Sequence, residues 1–225
     1  MNPVAATSNA ERMDRIYRWQ TPLYDLTRRY YLIGRDRLIA ELDPPVGGTV
    51  LEIGCGTGRN LIAAARRHPN ARYFGIDVSQ VMLDKAQAAV DSAGLGKQIS
   101  LASADATSFD PTTLFGEASL DRVFFSYTLS MIPLWPAALD SAMQAMSPDG
   151  RLLVVDFGMM ERLPLWIRAA LRAWLAAFSV EPRAELAVEL TSIAARYGLE
   201  VRMSSLLGGY GVYGLACRRS VGAID

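Results

Sequence analysis

Three carboxylates and one run of glycines are spaced to hold a nucleoside-bearing ligand. Glu52 precedes Gly54-Cys55-Gly56-Thr57-Gly58, Asp77 closes a second apolar run, and Asp105 follows a third. Glycines in such a turn remove the Cβ atoms that would keep a ligand from the backbone. A carboxylate at Asp77 can accept both hydroxyls of a ribose, Asp105 can accept from an adenine amino group, and Glu52 can counter a positive charge or an ammonium. The glycine spacing is G-x-G-x-G, and Arg59 stands where the dinucleotide fingerprint G-x-G-x-x-G requires its third glycine. A pyrophosphate wants the helix N-terminus aimed at it, whereas a ligand without phosphates needs mainly a flat, close-fitting backbone. Each acid alone would equally serve as a helix N-cap, and a lone glycine turn fits any strand-turn-helix unit. Their joint spacing is what favours a ligand.

Other chemistries are poorly supplied. The single histidine, His68, is followed by Pro69 and has no second imidazole to join, and the two cysteines, Cys55 and Cys217, are too few for a disulfide framework or a cysteine-based zinc site. No metal site is expected, and the cysteine count suits a reducing compartment. Twenty-three basic residues balance 23 acidic ones, so no net field gathers nucleic acid. The start of the chain, Asn9 to Arg15, is polar where a signal peptide would be apolar, which points to the cytoplasm. The most apolar later stretch, 163–180, is interrupted by Arg168 and Arg172 and falls short of the about 20 apolar residues of a membrane span.

The elements that must position the acids alternate regularly. Thr49 to Ile53 reads as a strand leading into the glycine turn, and Asn60 to Arg67 as the helix after it. Arg72 to Asp77 is a second strand, with Ser79 as N-cap of an alanine-rich helix that Gly94 closes. Gln98 to Ala102 and Leu120 to Ser126 supply two more strands. A helix from about Pro136 to Met146, a turn at Ser147-Pro148-Asp149-Gly150 and a fifth strand, Arg151 to Asp156, follow. Strand-helix alternation repeated five times predicts a doubly wound α/β fold with a parallel sheet between two helical layers. Its carboxyl edge, where open α/β sheets bind ligands, would carry all three acids. Residues 11–42 read as a helical, Tyr- and Arg-bearing cap, 161–178 as an inserted amphipathic helix, 182–197 as a crossover helix, and 199–206 with 212–219 as a closing hairpin.

The run Val50-Leu51-Glu52-Ile53-Gly54-Cys55-Gly56-Thr57-Gly58, with Gly75-Ile76-Asp77-Val78-Ser79 and Ala104-Asp105-Ala106, resembles class I S-adenosylmethionine-dependent methyltransferases over residues 49–157. The resemblance implies a seven-stranded, mostly parallel Rossmann-like sheet whose last strand is antiparallel. It also implies S-adenosylmethionine as cofactor and S-adenosylhomocysteine as product. Gly54, Cys55, Gly56 and Gly58 would pack against that cofactor, with Glu52 beside them. Asp77 and Val78 would hold the ribose, Asp105 and Ala106 the adenine, and Ser126-Tyr127 the methionine end. The whole chain reads as one domain: a cap over 1–48, a cofactor-binding core over 49–160, and substrate-side helices with the hairpin over 161–225.

Both ends carry a narrower resemblance. Arg15-Ile16-Tyr17-Arg18-Trp19-Gln20, Tyr24-Asp25-Leu26-Thr27-Arg28-Arg29-Tyr30, Asp156-Phe157-Gly158 and Leu163-Pro164-Leu165-Trp166 look like the bacterial betaine-lipid enzymes that trimethylate diacylglyceryl homoserine. The implied acceptor is an amino lipid, with Tyr24 joining the cofactor site. Phosphatidylethanolamine and ubiquinone methyltransferases share the Tyr-Asp pair, so that pair leaves the substrate open among them, and a soluble small-molecule acceptor stays open as well. An amine acceptor titrates near pH 8 and can lose its proton to water, a carboxylate or a phenol, so Tyr127 is the candidate catalytic group. A quaternary product prefers aromatic faces. Tyr30, Tyr31, Tyr210 and Trp166 are the substrate-side candidates, and Tyr213 lies in the same segments. On the inserted helix, Leu163, Trp166, Ile167, Leu171, Trp174, Leu175 and Phe178 form one stripe with Arg162, Arg168 and Arg172 off it. That stripe either lies on a membrane surface, placing the protein peripherally on the inner face, or covers the protein's own core.

Overall fold

Strand residues alternate between two faces, and both faces here are apolar, so the sheet must be covered on each side. The computed structural model describes residues 32–178 and 180–219. In chain order these give α1 (Arg35–Glu41), β1 (Thr49–Ile53), α2 (Arg59–Arg67), β2 (Arg72–Asp77), α3 (Gln80–Ser92) and β3 (Ile99–Ser103). Then come α4 (Pro111–Phe115), β4 (Leu120–Ser126), α5 (Trp135–Gln144), β5 (Met146–Phe157), α6 (Leu165–Ala177), α7 (Leu186–Arg196), β6 (Glu200–Leu206) and β7 (Gly211–Cys217). Seven strands pair in the order β3-β2-β1-β4-β5-β7-β6. The first five run parallel, and β7 is antiparallel to both β5 and β6. This is the doubly wound sheet expected from the alternation.

Val50, Tyr73, Phe124 and Val155 face α1, α2 and α3, while Leu51, Ile53, Val123 and Val154 face α5 and α7. The period of two has a consequence at Glu52. It shares a face with Val50, so its side chain is carried under α1 and α2 and away from α5. Strand order reverses beside β1, between β2 and β4, and the crevice at such a reversal is where a ligand enters.

Several boundaries differ from those read in the sequence. The expected turn at Ser147–Gly150 lies inside β5, as an irregularity in which pairing jumps from Leu120 with Met146 to Arg122 with Arg151. The short helix α4 is new. Asp110 caps it, accepting from the Thr112 and Thr113 amides, with Pro111 at its first turn. The inserted helix is shorter than 161–178, because Met160 and Arg162 donate their amides to Gly209 and Gly208 and belong to a turn ahead of it. Of the expected cap, residues 32–42 are described and carry α1, and 11–31 lie outside the described residues. No helix among the described residues is long and apolar enough to cross a membrane.

Arg122 ties α1 to the sheet. It is buried in β4 and donates Nε to Leu42 O at 2.5 Å, Nη2 to Asp43 O at 2.6 Å and Nη1 to Asp121 O at 2.7 Å. The first two acceptors end α1, so one guanidinium satisfies carbonyls the helix itself cannot. Arg122→Met is expected to lower stability by about 2–4 kcal/mol in urea unfolding, since it leaves those carbonyls buried without a donor.

Candidate functional site

The glycine turn is closed by one carboxylate. Asp77 accepts from Gly56 N at 2.9 Å through Oδ2 and from Ser79 N at 2.9 Å through Oδ1. It therefore fixes the turn after β1 against the start of α3, which Ser79 caps by accepting from Met82 N. Gly54 and Cys55 both donate to Ile76 O. Gly54 has φ 71°, and a Cβ there would collide with Thr128 Cγ2, so the position requires glycine.

A cleft opens over this turn. Gly54, Gly56, Asp77, Val78, Asp105, Ala106, Ser126 and Tyr127 line it, together with the loop residues Thr128, Met131, Ile132 and Pro133. A second lobe shares Gly54, Gly56 and Ser126 with the first and adds Leu32, Arg35, Glu52, Cys55, Thr57, Arg59 and Asn60. Sequence reasoning missed Arg35 and Asn60, because neither stands in a motif and only folding of α1 and α2 over β1 brings them to Glu52. It also missed the loop after β4.

Glu52 is the most perturbed acid of the cleft. It is buried, accepts from Asn60 Nδ2 at 2.7 Å, and has no hydrogen-bond partner at Oε2. Burial pushes its pKa up to about 8, against the opposing pull of Asn60 and the positive charge of Arg35. Ser126 Oγ is likewise buried without a partner. Two orphaned polar atoms on the walls of one cleft mark a site shaped for a polar ligand.

Other expected residues fall differently. Asp105 lines the cleft but accepts from both Thr107 N and Thr107 Oγ1 through Oδ1, at 2.8 Å each, so donation from a ligand falls to Oδ2. Gly58 caps α2 in a left-handed conformation and packs against Ala86, outside the cleft lining. Tyr127 borders the cleft, yet its hydroxyl donates to Ile33 O at 2.6 Å and burial, with Asp156 nearby, raises its pKa. A phenol so held directs its proton to a backbone carbonyl. Tyr210 is buried with its ring on Phe157, and Trp166 is exposed on α6; neither lines the cleft. Tyr213 donates to Glu41 Oε2 under the Arg37 guanidinium. His68 sits at the end of α2 with Nε2 2.9 Å from Ile39 O, away from both lobes. Tyr24, Tyr30 and Tyr31 lie outside the described residues. Among those described, no group of three or more His, Cys, Asp or Glu is gathered as a metal ion would need.

The loop from Tyr127 to Pro133 is pinned from outside the motifs. Ser130 N donates to Asp156 Oδ2 at 3.1 Å, and Arg183 donates Nε to Leu129 O and Nη2 to Ile132 O at 3.1 and 2.9 Å. Glu181 N donates to Ser130 O. The segment between α6 and α7 thus sets one wall of the cleft.

Comparison with known proteins agrees with this architecture. The family described as "Methyltransferase domain" matches residues 50–150. Nocamycin O-methyltransferase of Saccharothrix syringae is 31% identical over 163 residues, covering 72% of this chain and 56% of that protein. Demethylmenaquinone methyltransferase of Lactobacillus johnsonii is 28% identical over 141 residues, covering 60% and 56%. Residues 50–150 thus match the methyltransferase-domain family, on a sheet that has the Rossmann-like class I methyltransferase fold. The chain spans about half the length of these relatives. The geranyl diphosphate C-methyltransferase of Streptomyces coelicolor, solved with S-adenosyl-L-homocysteine, shares the methyltransferase fold at a TM-score of 0.63 and 15% identity, over 85% of this chain and 80% of that one.

The cofactor of the methyltransferase domain is S-adenosylmethionine, and the residues present fit it. Asp77 would take the ribose hydroxyls, and Val78, Ala106 and Ile132 would flank the adenine. Glu52 Oε2 and Ser126 Oγ would meet the polar methionine end, with Arg35 across the second lobe. Asp77→Ala is expected to weaken S-adenosylhomocysteine binding by about 2–3 kcal/mol, roughly a hundredfold, in titration calorimetry, with cooperative unfolding retained. Unchanged affinity would remove the ribose from this carboxylate.

Glu52 predicts a pH signature. Its folded pKa, about 8, lies above the ordinary value of 4.5 that holds in the unfolded chain, so its contribution to stability is full below about pH 4.5 and is lost as pH rises through 8. Glu52→Gln removes that loss. Across about pH 5 to pH 9 the melting temperature of the ligand-free methyltransferase should therefore fall further than that of Glu52→Gln, by several degrees. An ammonium beside Oε2 favours the ionised carboxyl, so cofactor affinity should rise toward pH 8 only where Glu52 is present.

Proposed function

We propose that the chain is an S-adenosylmethionine-dependent N-methyltransferase acting on the amine of diacylglyceryl homoserine, yielding the trimethylated betaine lipid from the inner face of a membrane. The observation that carries the amine reading is the state of Tyr127. The phenol on the cleft wall donates to Ile33 O, so its proton is committed to the backbone, and an acceptor that needs no protein base suits the site. An amine is such an acceptor near neutral pH, since its ordinary pKa lies near 8 and its proton can leave to water. Both ends of the chain support the lipid, through the resemblance of residues 15–30 and 156–166 to betaine-lipid enzymes.

The bound cofactor supplies a methyl group already activated on a positively charged sulfur. What remains for the protein is alignment and exclusion of water. Asp77 and the glycine turn would hold the nucleoside, and Glu52 and Ser126 the methionine end. The loop held by Asp156 and Arg183 forms the wall from which the acceptor approaches. In each transfer a bond forms from the amine nitrogen to the methyl carbon as the carbon–sulfur bond breaks, and the nitrogen's proton leaves to water. Three rounds give a fixed cation with no proton left to lose.

A quinone acceptor is the second reading, favoured by the likeness to demethylmenaquinone methyltransferase. Incubation of the protein with S-adenosylmethionine and synthetic diacylglyceryl homoserine in mixed micelles, followed by mass spectrometry of the lipids, separates the two. Mono-, di- and trimethylated lipid are the expected products. Methylation of a demethylated quinone alone, or of phosphatidylethanolamine alone, would replace the betaine-lipid acceptor.

A further inference from the structure

The exposed large apolar side chains are concentrated on one side of the protein. Among the described residues, Leu134, Leu165, Trp166, Trp174 and Leu207 lie beside the carboxyl edge of the sheet or on α6, whereas Val46 and Val188 lie elsewhere. Leu165, Trp166 and Leu207 are 72%, 74% and 66% exposed, far beyond what scattered surface residues need explain. The backbone brings them together. Gly158, Met160 and Arg162 donate their amides to Tyr210, Gly209 and Gly208, which sets Leu207 next to the residues leading into α6. Leu207 itself is held at φ 41°, an unusual conformation for a branched residue.

The apolar stripe of α6 is divided. Leu171, Leu175 and Phe178 pack onto the core, so the core-covering reading holds for one edge of the helix. The outer face carries Leu165 and Trp166 with a run of exposed alanines, and Trp174 lies at its margin with its ring on Phe178. Charge on the segment is one-sided: Arg162, Arg168 and Arg172 stand against a single acid, Glu161, over residues 158–178. Arg172 is exposed and also donates to Met159 O.

A buried aromatic row links the wall of the cleft to the turn that carries Leu207. Tyr127 on the cleft wall packs edge-on against Phe157 at 4.6 Å between centroids, and Phe157 against Tyr210 at 5.9 Å, next to the Leu207–Gly209 turn.

We propose that the outer face of α6, with Leu207, rests in the interface of an anionic lipid bilayer. Tryptophan and leucine enter the headgroup boundary, and the three arginines pair with anionic headgroups. The inference deepens the lipid-acceptor reading and rests on it for what is drawn from the bilayer, but its test does not require methyl transfer. Flotation with vesicles of phosphatidylglycerol and phosphatidylcholine is compared with vesicles of phosphatidylcholine alone. The wild-type protein is expected to float with the first and far less with the second, and to be released by salt. Trp166→Ser combined with Leu207→Ser, and separately Arg162→Gln combined with Arg168→Gln, should each weaken partitioning roughly tenfold or more. Both variants should keep S-adenosylhomocysteine affinity, which shows that they fold. Absence of flotation by the wild type, or equal flotation of both variants, overturns the proposal. Dimerisation that the Trp166 and Leu207 substitutions abolish, without vesicle binding, assigns the face to a second copy and overturns it too. Vesicle binding with no methylated diacylglyceryl homoserine overturns the acceptor alone and leaves the surface standing.

Discussion

The Asp77 carboxylate is the contact on which the rest of the site depends. One oxygen holds the glycine turn through Gly56 N and the other holds the start of α3 through Ser79 N. Two loops that leave different strands are thereby fixed to each other at the carboxyl edge. A ligand meeting Asp77 meets a group already oriented by backbone amides, so little ordering is left to be done on binding. The same bonds explain why an acid suits this position better than an amide, because both backbone partners are donors.

Glu52 poses the opposite problem. Its neighbours on β1 are all buried, and the period of the strand carries it under α1 and α2, where water cannot solvate a charge. Asn60 satisfies one oxygen and leaves the other without a partner. A polar group in that condition costs stability in the ligand-free protein. A cation placed beside Oε2 would recover that cost, converting instability into affinity at one place.

Much of the fold was legible because parallel strands buried on both faces leave short apolar runs separated by helices, and each turn here is marked by glycine, serine or aspartate. Glu52, Gly54, Gly56, Asp77 and Asp105 were legible for the same reason, as each stands at the end of such a run. The direction of the Tyr127 hydroxyl was not. It is set by Ile33 O, 94 residues earlier, and no local pattern records that contact. Arg35, Asn60 and Arg183 were hidden likewise, since each meets its partner only once the elements that carry them are packed together. The Ser147–Gly150 turn was misplaced because turn residues inside a strand irregularity look the same as turn residues between elements.

Arg183 suggests how the acceptor side and the cofactor side are joined. Its guanidinium is mostly buried and bridges Leu129 O and Ile132 O, while the same residue follows directly on the segment that ends α6. Asp156, at the end of β5, holds Ser130 between those two carbonyls and is itself buried, which raises its pKa. The wall of the cleft is thus suspended from the segment after α6 and from the strand before it.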